Sequence, residues 1–257
     1  MNILNNITQN LMHKNLSQYN TAELPIQKGP AGSVYVQAEN KEIPQWSIKG
    51  KSDFDRFIKR YGLTAIDSDG KELNWTMASR GTIESSGNVS LIVPIYTDKL
   101  GRKWTVLQEE ARPIDLGRNG SNSRLIAFPA GCIGDEVVGE TAMESALREI
   151  TEETGLEAKT IECINPTKIV NGEKIPVSIS STPGLTDEAT DYFVATIKDL
   201  KPVSKATTDG GITRGWWYVP LKNITKWFDN MAKQGKVATG QTLTALQLMI
   251  QKGKIKL

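Results

Sequence analysis

Near the middle of this 257-residue chain, Glu149, Glu152 and Glu153 stand at positions i, i+3 and i+4. On a helix that spacing brings three carboxylates together on one side. Carboxylates so close repel one another. A solvated surface tolerates this, but a partly buried one needs a cation. Hard oxygen ligands in such a cluster suit magnesium or manganese. The surrounding stretch, Gly134 to Leu156, reads GDEVVGETAMESALREITEETGL. From Glu140 to Thr154 its period is helical. Ala142, Ala146, Leu147, Ile150 and Thr154 recur at three- and four-residue spacing and predict one buried face. Arg148 supplies a local positive charge, and Glu144 stands one turn before it, placed for an i, i+4 pair. Gly155 falls where a helix ends in a left-handed residue.

Other chemistries have less to work with. The one histidine, His13, lies in a polar N-terminal segment far from the glutamates, so a Ser-His-Asp or Cys-His site would have to use it. General-base work therefore falls to a carboxylate. Two cysteines, Cys132 and Cys163, make neither a disulfide framework nor a metal-site spacing. A net charge of +2 gives no electrostatic case for nucleic acid or a membrane surface. No apolar run approaches the roughly 18 residues that span a bilayer, and the first residues do not read as a secretory signal. The expected compartment is the cytoplasm.

These glutamates need a scaffold. Ser33 to Ala38 alternates as a strand, and Ser52 to Tyr61 reads as a capped amphipathic helix. Leu63–Ile66 and Leu73–Ala78 flank an Asp69-Gly70 turn. A polar segment, residues 81–88, suggests a boundary. Strands follow at Val89–Tyr96, Lys103–Gln108 and Arg124–Phe128, with weaker ones at Ile161–Ile169 and Pro176–Ser180, then Asp191–Ile197 and Trp216–Val219. Ile224, Trp227, Phe228 and Met231 mark a second amphipathic helix. Thr242 to Ile250 marks a third, with Leu243, Leu246, Met249 and Ile250 inward. Many strands with few helices in mixed order predict an α+β fold.

Gly134, Glu140, Arg148, Glu149, Ile150, Glu152, Glu153, Gly155 and Leu156 fill every fixed position of the Nudix box. The chain resembles the Nudix hydrolases, and three further segments resemble their ADP-ribose pyrophosphatases. These are QEEARP at Gln108–Pro113, LIAFPAG at Leu125–Gly131 and STPGLTDE at Ser181–Glu188. The resemblance implies an α/β/α sandwich around a mixed sheet, residues 86–257. Residues 1–85 then form an N-terminal extension with strands and a short helix, which covers substrate and serves dimerisation. It implies hydrolysis of a nucleoside diphosphate derivative, typically ADP-ribose to AMP and ribose 5-phosphate, with Mg2+ or Mn2+. By the same likeness Glu149 and Glu153, with Glu152 alongside and the Ala130 carbonyl, are metal ligands. Glu188 is the base or water-orienting group, with Asp209 the second candidate. Arg112 contacts phosphate or else pairs with Glu109 or Glu110. Trp75, or less strongly Trp46, stacks on adenine. Glu140 and Arg148 form a structural ion pair, and a homodimer is expected.

Two departures stand out. Ala127 replaces a glutamate that relatives carry before Phe-Pro-Ala-Gly, and the Gly131–Glu140 segment is long, so either Gly131 or Gly134 serves as the box glycine. Two other readings fit the same residues. One is turnover of another nucleoside diphosphate sugar or of NADH. The other is a nucleotide-sugar-binding regulator without turnover, against which the intact acids argue.

Overall fold

The computed structural model describes residues 26–38, 58–80, 87–112, 124–200, 203–207 and 212–255. In chain order the strands are Ile26–Lys28 (β1), Val34–Gln37 (β2), Lys59–Ile66 (β3), Glu72–Ser79 (β4), Val89–Thr97 (β5), Lys103–Glu110 (β6), Arg124–Ala127 (β7), Ala130–Cys132 (β8), Ala158–Cys163 (β9), Thr167–Val170 (β10), Glu173–Pro176 (β11), Ile179–Ser180 (β12), Ala189–Ile197 (β13), Thr213–Pro220 (β14) and Lys236–Ala238 (β15). The helices are Ala142–Thr154 (α1), Ile224–Lys233 (α2) and Gly240–Gln251 (α3).

Eleven strands build one mixed sheet along the path β1-β2-β14-β6-β5-β13-β12, with β7, β8, β9 and β15 attached beside it. The central strands β5 and β13 run parallel, and β6 and β14 pair antiparallel. β5 reads VSLIVPIYT, a nearly unbroken apolar run, because both of its faces are covered. Pro94 within it marks a change of neighbour. Val89–Leu91 pair with β8, and Ile95–Thr97 pair with β6. A residue without an N–H fits that gap in the ladder. Helices cover both faces. Ala146 and Ile150 of α1 pack with Ile92, Trp104, Val106 and Phe193 on one side. Trp227 and Met231 of α2 and Ala245 and Met249 of α3 pack with Leu91, Leu107 and Val219 on the other. The result is an α/β/α sandwich.

Val34 and Val36 of β2 are buried, and β2 pairs with β14. Residues 26–37, on the N-terminal side of the expected boundary, thus lie in the main sheet. β3 and β4 instead form a hairpin of their own, closed by a turn in which Asp67 Oδ1 accepts from Asp69 N and Lys71 N. The hairpin joins the rest where Ala78 N donates to Leu185 O at 2.8 Å.

Several expectations need correction. Of the helix expected over Ser52–Tyr61, residues 52–57 lie outside the described residues, and Lys59–Tyr61 begin β3. β3 pairs with β4 from its first residue, Lys59, so pairing overrides the local helical period there. The single strand expected at Ile161–Ile169 is two, β9 and β10, parted at Ile164–Pro166 where Asn165 turns its amide to Val177 O and Asp191. The stretch Pro176–Ser180 likewise divides between β11 and β12. Leu147 and Leu243, expected inward, are exposed, because each lies at the edge of its helix's apolar stripe. Ser145 and Leu248 take the buried places instead.

Candidate active site

Helix α1 is fixed at both ends by its own sequence. Thr141 caps it, with Glu144 N donating to Thr141 Oγ1 at 3.3 Å and Thr141 N donating to Glu144 Oε2 at 2.8 Å, a capping box. Glu144 is thereby used at the cap, and the pair with Arg148 that its spacing allowed is not formed. Gly155 ends the helix in the left-handed region, φ 70°. Two bonds tie the last turn to the sheet: Trp216 Nε1 and Gln108 Nε2 donate to Glu153 O at 2.8 and 3.3 Å.

Arg148 is the hub. It reaches Glu140 at 2.9 Å, Glu149 at 2.7 Å and Glu152 at 2.9 Å. Gly134 N donates to Glu140 Oε1 at 2.9 Å, so the loop before the helix closes on the same carboxylate. The Arg148 guanidinium holds the Glu140 carboxyl below its ordinary range, against the opposing effect of burial.

The three box glutamates are not equivalent. Glu149 and Glu153 are buried, while Glu152 faces outward. Burial pushes Glu149 up to about 7, with Arg148 pulling it down and Glu152 adding to the rise. Its carboxylate packs onto Gly131, where an added Cβ would overlap it. Glu153 Oε2 accepts from Ala130 N at 2.9 Å. Strand β8 and helix α1 therefore present two buried carboxylates against the backbone of residues 130 and 131. Among the described residues, no three acidic, His or Cys side chains stand close enough to form a metal shell as they lie. Arg148 takes one oxygen each of Glu149 and Glu152, and the Ala130 amide takes one of Glu153. The donor chemistry nevertheless suits a hard cation, because buried carboxylate oxygens are stabilised by a bound positive charge.

Beside β8 lies a cavity of about 240 Å³, lined among others by Arg80, Glu110, Arg112, Ala130, Cys132 and Glu188. Arg80 Nη2 donates to Glu188 Oε2, and Arg112 Nε donates to Glu110 Oε2, each at 2.5 Å. Arg112 thus takes Glu110, not Glu109, whose Oε2 accepts from Lys236 Nζ and Trp217 Nε1. Ser181 N donates to Glu188 O at 3.0 Å, closing the loop that carries Glu188. Burial raises the Cys132 thiol, so it stays protonated. Trp75 does not line this cavity and stands 46% exposed on the hairpin. Asp209 and Trp46 lie outside the described residues. A larger hollow of about 470 Å³, beyond the β5–β6 turn, holds none of these groups.

No family model matches the chain. Over 143 residues it is 28% identical to a Mus musculus protein described as an ADP-sugar pyrophosphatase, across 55% of this chain and 56% of that one. The chain thus spans about half the length of that relative. A solved structure described as an ADP compounds hydrolase superposes with a TM-score of 0.53 at 19% identity, over 84% of this chain and 100% of that chain. The two chains share a fold. The Nudix domain of Shewanella oneidensis NrtR complexed with ADP ribose aligns at a TM-score of 0.39 and 13% identity, over 64% of this chain and 86% of that chain.

Within this frame, three cavity residues carry no local signal in the sequence: Arg80, Glu110 as a wall of the cavity, and Gln241. Arg80 is 108 residues from Glu188 and Gln241 is 53 residues away. No local spacing links them, and only the sheet topology brings them together.

Proposed function

We propose that the chain hydrolyses the pyrophosphate bond of a nucleoside diphosphate derivative, ADP-ribose foremost, giving AMP and ribose 5-phosphate. One observation carries the reading: two buried carboxylates of the box helix meet the Ala130–Gly131 backbone beside a cavity that also holds Glu188 and two arginines. The name of the mouse relative supports the substrate class. Glu149, Glu153 and the Ala130 carbonyl would hold Mg2+ or Mn2+, with Glu152 at the outer edge. When bound, such a cation neutralises phosphate charge and acidifies nearby water.

The remaining work falls to side chains. Arg80 and Arg112 supply guanidinium forks for the phosphate oxygens. Each is now paired with a carboxylate that a diphosphate can replace. Glu188 accepts a proton from water as the water oxygen bonds to one phosphorus. The bridging P–O bond breaks, and its electron pair leaves with the second phosphate. Asp209 is the second candidate for the base.

We further propose a homodimer in the cytoplasm. On the hairpin, Tyr61, Leu63, Ala65, Leu73, Trp75 and Met77 share one face by register, with Lys59 and Ser79 at its open end. An isolated two-stranded hairpin is marginal in water. A second copy covering this face would bury it and bring Trp75 toward substrate, with Trp46 the other stacking candidate. The hydrolysis reading is tested by incubating the chain and Mg2+ with a panel of nucleoside diphosphate sugars, NADH and ADP-ribose. AMP and ribose 5-phosphate should appear from ADP-ribose at a kcat/KM at least about tenfold above the rest. Absence of product from every member overturns the reading.

A further inference from the structure

Glu188 is gripped from two sides by elements far apart in the chain. Arg80, at the end of the hairpin, holds Oε2 at 2.5 Å. Gln241 Nε2, in the first turn of α3, lies 3.3 Å from Oε1. The same amide nitrogen stands 3.1 Å from Thr190 Oγ1 and 3.4 Å from Ser181 Oγ. An ionised carboxylate only accepts hydrogen bonds, so the amide must present its nitrogen here.

That first turn of α3 is itself pinned. Thr242 N donates to Thr239 Oγ1 at 3.1 Å, and Thr239 N donates to Ile126 O at 3.1 Å. Phe128 N donates to Thr242 Oγ1 at 3.2 Å, two residues before Ala130. One helical turn is thus bonded both to the segment that carries Ala130 and to Glu188. Arg80 differs in kind. It is a half-exposed cation, and the phosphates of an incoming diphosphate compete with Glu188 for it.

We propose that Gln241 is a positioning residue, which keeps Glu188 aimed into the cavity while Arg80 turns to the substrate. This rests on the hydrolase reading above with Glu188 as base. A neutral donor suits the task, because it orients a carboxylate with less loss of basicity than a cation imposes. Among the described residues, the other titratable groups around Glu188 are Arg80, Asp187, Cys132 and Tyr192, and Glu110 and Arg112 line the same cavity. Burial raises both Cys132 and Tyr192, so neither changes charge where a carboxylate titrates.

The test is the pH profile of ADP-ribose hydrolysis by the full chain. Gln241→Met removes the donor. Its kcat should fall about tenfold, a fraction of what a positioned base contributes, with KM within about twofold. The acidic limb of kcat should move to higher pH, since the ionised form loses a hydrogen bond. Gln241→Glu keeps the size and sets a second carboxylate there, so the limb should move further. In a Glu188→Gln background, Gln241→Met should add nothing. An unmoved acidic limb, or a full tenfold loss on top of Glu188→Gln, overturns the role of Gln241. A wild-type chain inert toward the whole panel overturns the hydrolase reading, and this inference with it.

Discussion

Gly131 shows what a single missing methyl group does in this site. It lies in strand β8, and its backbone angle does not demand glycine. The Glu149 carboxylate occupies the space that a side chain here would fill, so any larger residue must move it. Gly131→Ala should displace that carboxylate and lower kcat/KM by about a hundredfold, the scale of an ångström-level misplacement. Thermal unfolding should move by only a few degrees, and steady-state kinetics beside a melting curve separates the two effects. The clustering of Glu149, Glu152 and Glu153 on one helix was legible in their spacing. Their inequality was not, because which of three neighbouring acids is buried depends on where β8 crosses the helix. The Glu110–Arg112 pair was legible only as one of two alternatives, since strand alternation places Glu109 on the other face with Lys236.

At the scale of elements, the strongest local signals carried through: the capped box helix, the Asp69-Gly70 hairpin and the β5–β6 turn. That last turn is over-determined. Asp98 accepts from Leu100 N, Arg102 N, Arg102 Nε and Trp104 Nε1. Burial works against its ionised form, yet these donors together lower its pKa. A lowered carboxylate stabilises the fold above its unfolded pKa, and that contribution is lost as pH falls through the folded value. Asp98→Asn should therefore cost about 2 kcal/mol at pH 7. The gap from wild type should close as pH falls below about 4, the ordinary Asp value, in urea unfolding followed across pH. The split of Ile161–Ile169 into β9 and β10 was not legible, because Asn165 makes its turn through partners 12 and 26 residues away.

For the whole molecule, the layered fold was legible from the count and order of strands. The convergence of Arg80, Glu188 and Gln241 was not, because three separate elements supply it. Among the described residues, Tyr61, Leu63, Leu73 and Trp75 leave much of the hairpin's apolar face exposed. Wild type should sediment at twice the 28.3 kDa of the chain. Leu63→Glu with Trp75→Glu should yield monomers with weakened substrate binding, and an unchanged sedimentation coefficient would argue against this surface. Beneath all of this lies the claim that the buried carboxylates of α1 exist to hold a divalent cation. Titration calorimetry with Mn2+ on wild type and on Glu153→Gln tests it most directly. Wild type should bind saturably, and the variant should lose about tenfold or more in affinity, with circular dichroism unchanged. Equal binding by both proteins, or none by wild type, would contradict it.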